Sequence, residues 1–210
     1  MQERASARVA VSMQVTGYTG SAVPPARTAD GQSAAAYTVM TTPLGPILLA
    51  SSPAGICWCR FVDGLDAALS ELRRVCARHQ LRADADALWL PQGCAELAAY
   101  FGARSAPLRV PLDLCTGTPL QRAVWEALRR IPRGNTRTYG EIARALSHPR
   151  AARAVGSACR SNPVAVFVPC HRVVGARGNL GGYRAGLWRK RWLLAHEQAH
   201  PDAQPAPAQA

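Results

Sequence analysis

Thr138-Tyr139-Gly140-Glu141-Ile142-Ala143-Arg144-Ala145-Leu146-Ser147-His148-Pro149-Arg150-Ala151-Ala152-Arg153-Ala154-Val155-Gly156-Ser157-Ala158 is the stretch that decides the fold. It opens on a capping box. The Thr138 hydroxyl can cap the helix N-terminus, and Glu141 can reach back to the Thr138 N–H. The helix started this way runs to about Leu146. Pro149 starts a second helix, because its fixed φ suits a first helical turn. That helix ends near Ser161-Asn162-Pro163. A tight Ser147-His148 connection makes the pair a helix-turn-helix. Arg150, Arg153, Ser157 and Arg160 fall near one face, at offsets of three, four and three. Otherwise the second helix is built from small residues and can approach another surface closely, including the minor groove. Spacing alone leaves two readings open: arginines offered to a polyanion, or a core helix packed through its alanines with solvated arginines.

Upstream, Thr118-Pro119 is a cap followed by proline at the first helical position. Leu120, Val124, Leu128 and Ile131 follow at helical spacing and stop before Pro132-Arg133-Gly134. Farther back, Thr38-Val39-Met40-Thr41, Ile47-Leu48-Leu49-Ala50 and Ile56 to Val62 read as three strands. The turns between them, Pro43-Leu44-Gly45-Pro46 and Pro53-Ala54-Gly55, make an antiparallel meander. Leu65 to His79 has a helical apolar period, and a second helix covers Cys94 to Phe101. Pro107 to Pro111 reads as the connection to the second half.

Downstream lies Pro169-Cys170-His171-Arg172-Val173, directly after an apolar run, Val164 to Val168, that reads as a short buried strand. A thiol is a weak nucleophile at neutral pH, and a neighbouring imidazole can draw its proton directly or through a water. By itself this pair fits a hydrolase, a thiol oxidoreductase or a structural cysteine. Neither a C-x-x-C pair nor an acyl-type oxyanion loop supports the first two.

The 210 residues, 48% of them hydrophobic, allow one or two small domains with a proper core. The division expected is an extension at 1–36 without regular structure, an N-terminal unit at 37–110, a C-terminal unit at 111–197 and a tail at 198–210. No apolar run approaches membrane-spanning length and no apolar signal core opens the chain, so a cytoplasmic location is expected. The net charge of +12 points to a polyanionic partner, although Lys190 is the only lysine and arginine-rich composition contributes. The seven cysteines do not read as a disulfide framework. Cys57-x-Cys59 is too closely spaced for a zinc knuckle, and Cys76 with His79 is at most half a site. Buried structural thiols and no metal are expected.

In order along residues 114–197, the chain carries Gly117-Thr118-Pro119-Leu120-Gln121, Val124-Trp125-Glu126-Ala127-Leu128, Ile131-Pro132-Arg133-Gly134 and Thr138 to Ala143. Ala152 to Gly156, Asn162-Pro163, Pro169 to Val173, Gly182-Tyr183-Arg184 and Leu193-Leu194-Ala195-His196-Glu197 follow. This ordered set resembles the O6-alkylguanine-DNA alkyltransferases, and the Gly-Tyr-Arg loop looks like the C-terminal half of the bacterial adaptive-response protein. The resemblance implies an α+β molecule. A small α/β domain with an antiparallel, ribonuclease H-like sheet precedes a mainly helical, winged-helix-like domain with the helix-turn-helix.

It also implies roles. Cys170 would accept the alkyl group, His171 would activate it through a bridging water, and Glu197 would orient the imidazole. Tyr139 would donate towards the base. Groups around Cys170 and Val173 and in the Tyr183-Arg184 loop would read and line the pocket, with Arg184 where the family often has serine. Asn162 would be a hinge, or only a helix C-cap. Arg153 would replace the flipped nucleotide in the stack, and Ala151, Ala152, Ala154 and Gly156 would lie against the minor groove of double-stranded DNA. The family acts as a monomer, once per molecule and without a cofactor. Some members bind zinc in the N-terminal half, but no matching ligand set is found here. Two relatives of the activity stand as alternatives. A non-enzymatic lesion binder usually replaces the cysteine with tryptophan, and a methylation-sensing regulator needs an added four-cysteine module.

Overall fold

The computed structural model describes residues 36–79, 88–102 and 107–201. The expected extension, apart from Ala36, and the tail beyond residue 201 lie outside the described residues. Ala36 is not part of an extension. It is buried and begins strand β1 (Ala36–Thr42), which pairs antiparallel with β2 (Gly45–Ser52). β2 pairs in turn with β3 (Gly55–Phe61), giving the expected meander. The second turn needs glycine. Gly55 has φ +146, and a Cβ there would lie 2.3 Å from the Pro111 oxygen. That contact exists because residues 107–114 are not a free linker. Ile56 N–H donates to Pro111 O at 2.8 Å and Asp113 N–H to Ile56 O at 2.9 Å, so the connection docks along β3.

Both faces of the sheet are covered, so β2 reads as continuous apolar sequence rather than alternating. Leu48 and Ala50 face a cluster with Trp58, Leu72 and Cys76 that includes α1 (Leu65–His79). Ile47 and Leu49 face the larger cluster with α2 (Leu90–Phe101), Val164, Val166, Phe167 and Leu193. Helix α2 starts one turn earlier than its apolar spacing predicts, because Pro91 occupies its first turn.

The second half packs α3 (Pro119–Arg129), α4 (Tyr139–Ala145) and α5 (Ala152–Ser161) around Val124, Trp125, Leu128, Ile142, Val155 and Ala158. Trp125 Nε1 donates to Ala158 O at 2.9 Å and locks α3 to α5. The Thr138–Glu141 capping box is present, with Glu141 N–H on the Thr138 hydroxyl at 3.2 Å and Thr138 N–H on Glu141 at 2.6 Å. A second capping box, Thr118 with Gln121, starts α3.

Two expectations are corrected. Pro149 does not begin a helix. The chain turns through Ser147 at φ +62, α5 starts at Ala152, and Arg150 lies outside it. The apolar run Val164 to Val168 is not a strand. Val166 takes φ +73 and Val168 N–H returns to Val164 O at 2.9 Å, so the run folds into a buried tight turn. Only its start touches the sheet, Val164 bridging Cys59 of β3 with Ala165 N–H on Cys59 O at 2.7 Å, and its side chains are shared between the two cores.

Two short segments that sequence did not reveal hold the cysteine turn in place. Residues Arg137–Thr138 (β4) pair parallel with Val173–Val174 (β5), which sets the start of α4 beside the turn after Cys170. The last helix, α6 (Leu187–Ala199), runs two residues past the expected boundary and carries Glu197. Among the described residues no helix is long and apolar enough to cross a membrane.

Candidate active site

Cys170 opens a 3-10 turn, Cys170–Arg172, and is 8% exposed. Its sulfur is held by Asn162, whose Nδ2 lies 3.2 Å from Sγ and also donates to Val168 O at 2.8 Å. Asn162 Oδ1 accepts from Val164 N–H at 3.0 Å. One side chain therefore spans the tight turn and reaches the thiol. Burial pushes the Cys170 thiol up, and the Asn162 donor and the Lys190 charge oppose that only in part.

His171 is fully buried, and its Nε2 lies 2.8 Å from Glu197 Oε1. Glu197 is equally buried. Its Oε1 also accepts from the Tyr100 hydroxyl at 2.7 Å and from Arg172 Nη2 at 2.9 Å, and its Oε2 from Arg172 Nε at 2.8 Å and Gly134 N–H at 3.3 Å. Burial alone would raise the Glu197 carboxyl. The Arg172 guanidinium and the hydrogen bonds from His171 and Arg172 outweigh it and hold the group well below the ordinary carboxylate range. Burial, helped by the Arg172 and Lys190 charges, holds His171 below its ordinary value against the opposing effect of Glu197, which favours the neutral imidazole at pH 7.

The tautomer follows from these partners. An ionised carboxylate can only accept, so Nε2 carries the proton and Nδ1 the lone pair. Nδ1 has no hydrogen-bond partner. No hydrogen bond joins Cys170 to His171 among the described residues. The arrangement is thus a neutral base with a free lone pair next in sequence to a thiol, oriented from behind by a carboxylate.

The thiol opens onto a cavity of about 970 Å³. Tyr139, Ala152, Arg153, Gly156, Tyr183 and Arg184 line it with Cys170. Helix α5 turns Val155 and Ala158 inward and leaves Arg153, Ser157 and Arg160 exposed on the cavity side. The buried face is the core face expected of a helix packed through small residues, and the arginines lie on the other face. Gly181, at φ +65, makes room for Tyr139: a Cβ there would sit 2.9 Å from its hydroxyl. Val173, Ala151 and Ala154 are not on the wall. Val173 is buried in β5, and Ala151 packs on the helical core.

Sequence reasoning missed several residues here. Lys190 is buried, and its ammonium donates to Val173 O at 2.5 Å and to the carbonyls of Leu180 and Gly182, tying the loop before Tyr183 to the cysteine turn. Its standing as the only lysine was a usable signal. Tyr100 comes from the N-terminal half, and its link to Glu197 leaves no local trace in sequence. Arg172 lies inside the Pro169–Val173 pentapeptide, and its link to Glu197 has no local signature in sequence. The cysteines are all free, and among the described residues no group of His, Cys, Asp or Glu could hold a metal.

Residues 35–114 match the profile of the 6-O-methylguanine DNA methyltransferase ribonuclease-like domain, and residues 119–199 that of the family's DNA binding domain. A methylated-DNA–protein-cysteine methyltransferase of Methanosarcina acetivorans is 38% identical over 167 residues, 77% of this chain and 97% of that protein. The bifunctional transcriptional activator and DNA repair enzyme Ada of Escherichia coli is 42% identical over 161 residues, of which this chain spans 45% of the longer relative. The crystal structure of Mycobacterium tuberculosis OGT in complex with DNA superposes with a TM-score of 0.65 at 39% identity, covering 80% of this chain and 95% of that one. The likeness runs through both halves, and the chain belongs to the 6-O-methylguanine DNA methyltransferase family.

Proposed function

We propose that this chain repairs DNA by direct reversal of damage, moving the alkyl group of O6-alkylguanine in duplex DNA irreversibly onto Cys170. The observation that carries this reading is the shared cavity, with Cys170 on its wall beside Arg153 and Gly156 of the small-residue helix α5. A thiol that faces an open, arginine-rimmed cavity and is backed by an oriented base suits displacement on an extruded base. The target atom is inaccessible in a duplex, so the nucleotide must be extruded. Arg153 takes its place in the stack, and Ala151, Ala152, Ala154 and Gly156 form the face that approaches the minor groove.

In the step itself Cys170 Sγ forms a bond to the carbon on O6, and the carbon–oxygen bond breaks. The thiol proton passes to His171 Nδ1 through a water, while Glu197 stabilises the imidazolium. The electron pair leaves on guanine. Tyr139 and the backbone of the Tyr183-Arg184 loop supply donors to it, and Asn162 holds the sulfur. The thioether has no way back, so one molecule acts once, as a monomer, with no cofactor and in the cytoplasm, where its DNA is. The N-terminal unit (37–110) frames the site, and the C-terminal unit (111–197) binds DNA and accepts the alkyl group. Cys170 weighs against a lesion binder without chemistry.

The test is to incubate the protein with duplex DNA containing O6-methylguanine and record its intact mass. One methyl group on Cys170 and no further turnover is the expected result. A folded protein that gains no adduct refutes the proposal.

A further inference from the structure

Asn162, which holds the Cys170 sulfur, is itself held by β3. Cys59 N–H donates to Pro163 O at 2.8 Å, and Ala165 N–H donates to Cys59 O at 2.7 Å. Arg60 Nη2 adds a third bond, to Asn162 O at 3.2 Å. Backbone pairing alone docks residues 163–165 on the strand. The third bond comes from a charged side chain that is only 12% exposed, and a buried charge is costly unless it is well paired.

Arg60 is fixed in place but only partly neutralised. Its guanidinium stacks on Trp58, 4.1 Å from the ring centre, and Nη1 donates to Glu71 Oε1 on α1 at 2.9 Å. The same oxygen accepts from Arg184 Nη2 at 2.6 Å. Two arginines therefore share one carboxylate, and the group keeps a net positive charge. Burial and the Arg184 charge lower Arg60 to about 10 against the effect of Glu71, so it stays charged at pH 7.

This charge stands beside the acceptor. Arg60 and Cys170 line one cavity with Asp63, Glu71, Arg160 and Arg184. On its other sides the thiol meets Cys159 from α5, Tyr139 from α4, Tyr183 from the loop and Lys190 from α6, with His171 next in sequence. Two of these groups are buried cations whose charge favours a thiolate: Lys190 from the C-terminal half and Arg60 from the N-terminal half. We propose that Arg60 is a positioning residue for the alkyl transfer, holding Asn162 against the sulfur and keeping a fixed positive charge beside it that Glu71 moderates. Such a charge is in place before the carbon–sulfur bond forms and needs no reorganisation as the sulfur gains electron density. This rests on Cys170 being the acceptor.

The test is the pH profile of the single-turnover reaction of the full chain with free O6-benzylguanine, which takes DNA binding out of the measurement. Arg60→Met should slow the reaction at pH 7 about tenfold and move the rising limb of the profile about one unit to higher pH, the effect of losing one nearby opposite charge. Arg60→Lys keeps the charge and should restore the limb. Glu71→Gln keeps an acceptor oxygen but removes the neutralising charge, so it should move the limb to lower pH. A merely structural role would lower Tm and leave the limb where it is. A folded Arg60→Met protein with the wild-type limb therefore overturns the proposal. Should that variant not fold, a Glu71→Gln limb at or above the wild-type pH overturns it. No alkyl adduct on Cys170 of the wild-type protein overturns the proposed function instead.

Discussion

Replacing Glu197 with glutamine tests whether one buried carboxylate holds the site together. It accepts from His171, Tyr100 and Arg172 on one oxygen and from Arg172 and Gly134 on the other. Glutamine has one acceptor oxygen. Whichever way the amide is turned, its NH2 meets the N–H groups of Arg172, and the guanidinium is left as a buried charge without a counter-charge. Removing one partner of a buried pair costs about 3–5 kcal/mol. In a chain of this size each kcal/mol moves Tm by about 2–4 °C, so Glu197→Gln should lower Tm by roughly 6–20 °C. Thermal unfolding followed by circular dichroism at pH 7 reads this. Arg172→Met in the Glu197→Gln background removes the stranded charge and should recover at least about 1 kcal/mol relative to additivity. Arg172 also donates to Ile131 O at 2.5 Å, so the recovery is partial. A Tm within about 2 °C of wild type, or strict additivity of the two changes, would refute the reasoning.

Other perturbations separate the remaining roles. Arg153 is exposed, so Arg153→Ala should leave Tm unchanged and slow repair in duplex DNA roughly tenfold more than reaction with free O6-benzylguanine; equal losses would argue against a flipping role. Asn162→Ala removes a donor that favours the thiolate and should shift the pH profile of reaction with free O6-benzylguanine to higher pH, at a cost of about 1–3 kcal/mol in urea unfolding. Lys190→Met strands the carbonyls of Val173, Leu180 and Gly182 and should make the loop at 176–183 the first site of limited proteolysis. Stability should fall on acidification below about pH 6.5. The folded state holds His171 below its ordinary value, so the unfolded chain binds that proton first; His196, also lowered by burial, adds to the slope. Glu197 is depressed, so its contribution persists there and is lost only as pH falls from about 4.5 through its folded value. A Tm that is flat from pH 7.5 to pH 5.5 would contradict this sign.

What could be read from sequence was local. The meander announced itself through apolar runs between glycine and proline turns, α3 through Thr118 with Pro119, and α4 through Thr138 with Glu141 three positions on. The thiol and its histidine are adjacent and were legible as a pair, whereas the contact of Asn162 with the thiol appears only in the fold. The errors came where tertiary burial overrode local pattern. Val164 to Val168 looked like a strand because an apolar run has no period to distinguish a strand from a buried turn. Pro149 looked like a helix start because proline fits a first helical turn and an ordinary turn equally well. The Glu71–Arg184 and Tyr100–Glu197 pairs were invisible for a different reason. Glu71 and Arg184 are 113 positions apart and Tyr100 and Glu197 are 97 apart, and no periodicity encodes a pairing at that range.

The resting site raises a chemical question that its geometry also answers. Burial raises Cys170 and lowers His171, so both are neutral before DNA arrives, and a standing thiolate–imidazolium pair is disfavoured by the same desolvation. The proton must then move as the carbon–sulfur bond forms. Glu197 suits that timing. It is ionised at rest through Arg172, so its charge is already in place when His171 becomes an imidazolium, and no reorganisation is needed at that moment. A neutral buried thiol also resists oxidation, which depends on thiolate character and exposure. For a protein that spends its cysteine once, keeping that group unreactive until an extruded base fills the cavity preserves the molecule for the one reaction it performs. The N-terminal half contributes directly to this state, because the Tyr100 hydroxyl and the Arg60 guanidinium reach Glu197 and Asn162 across the domain boundary.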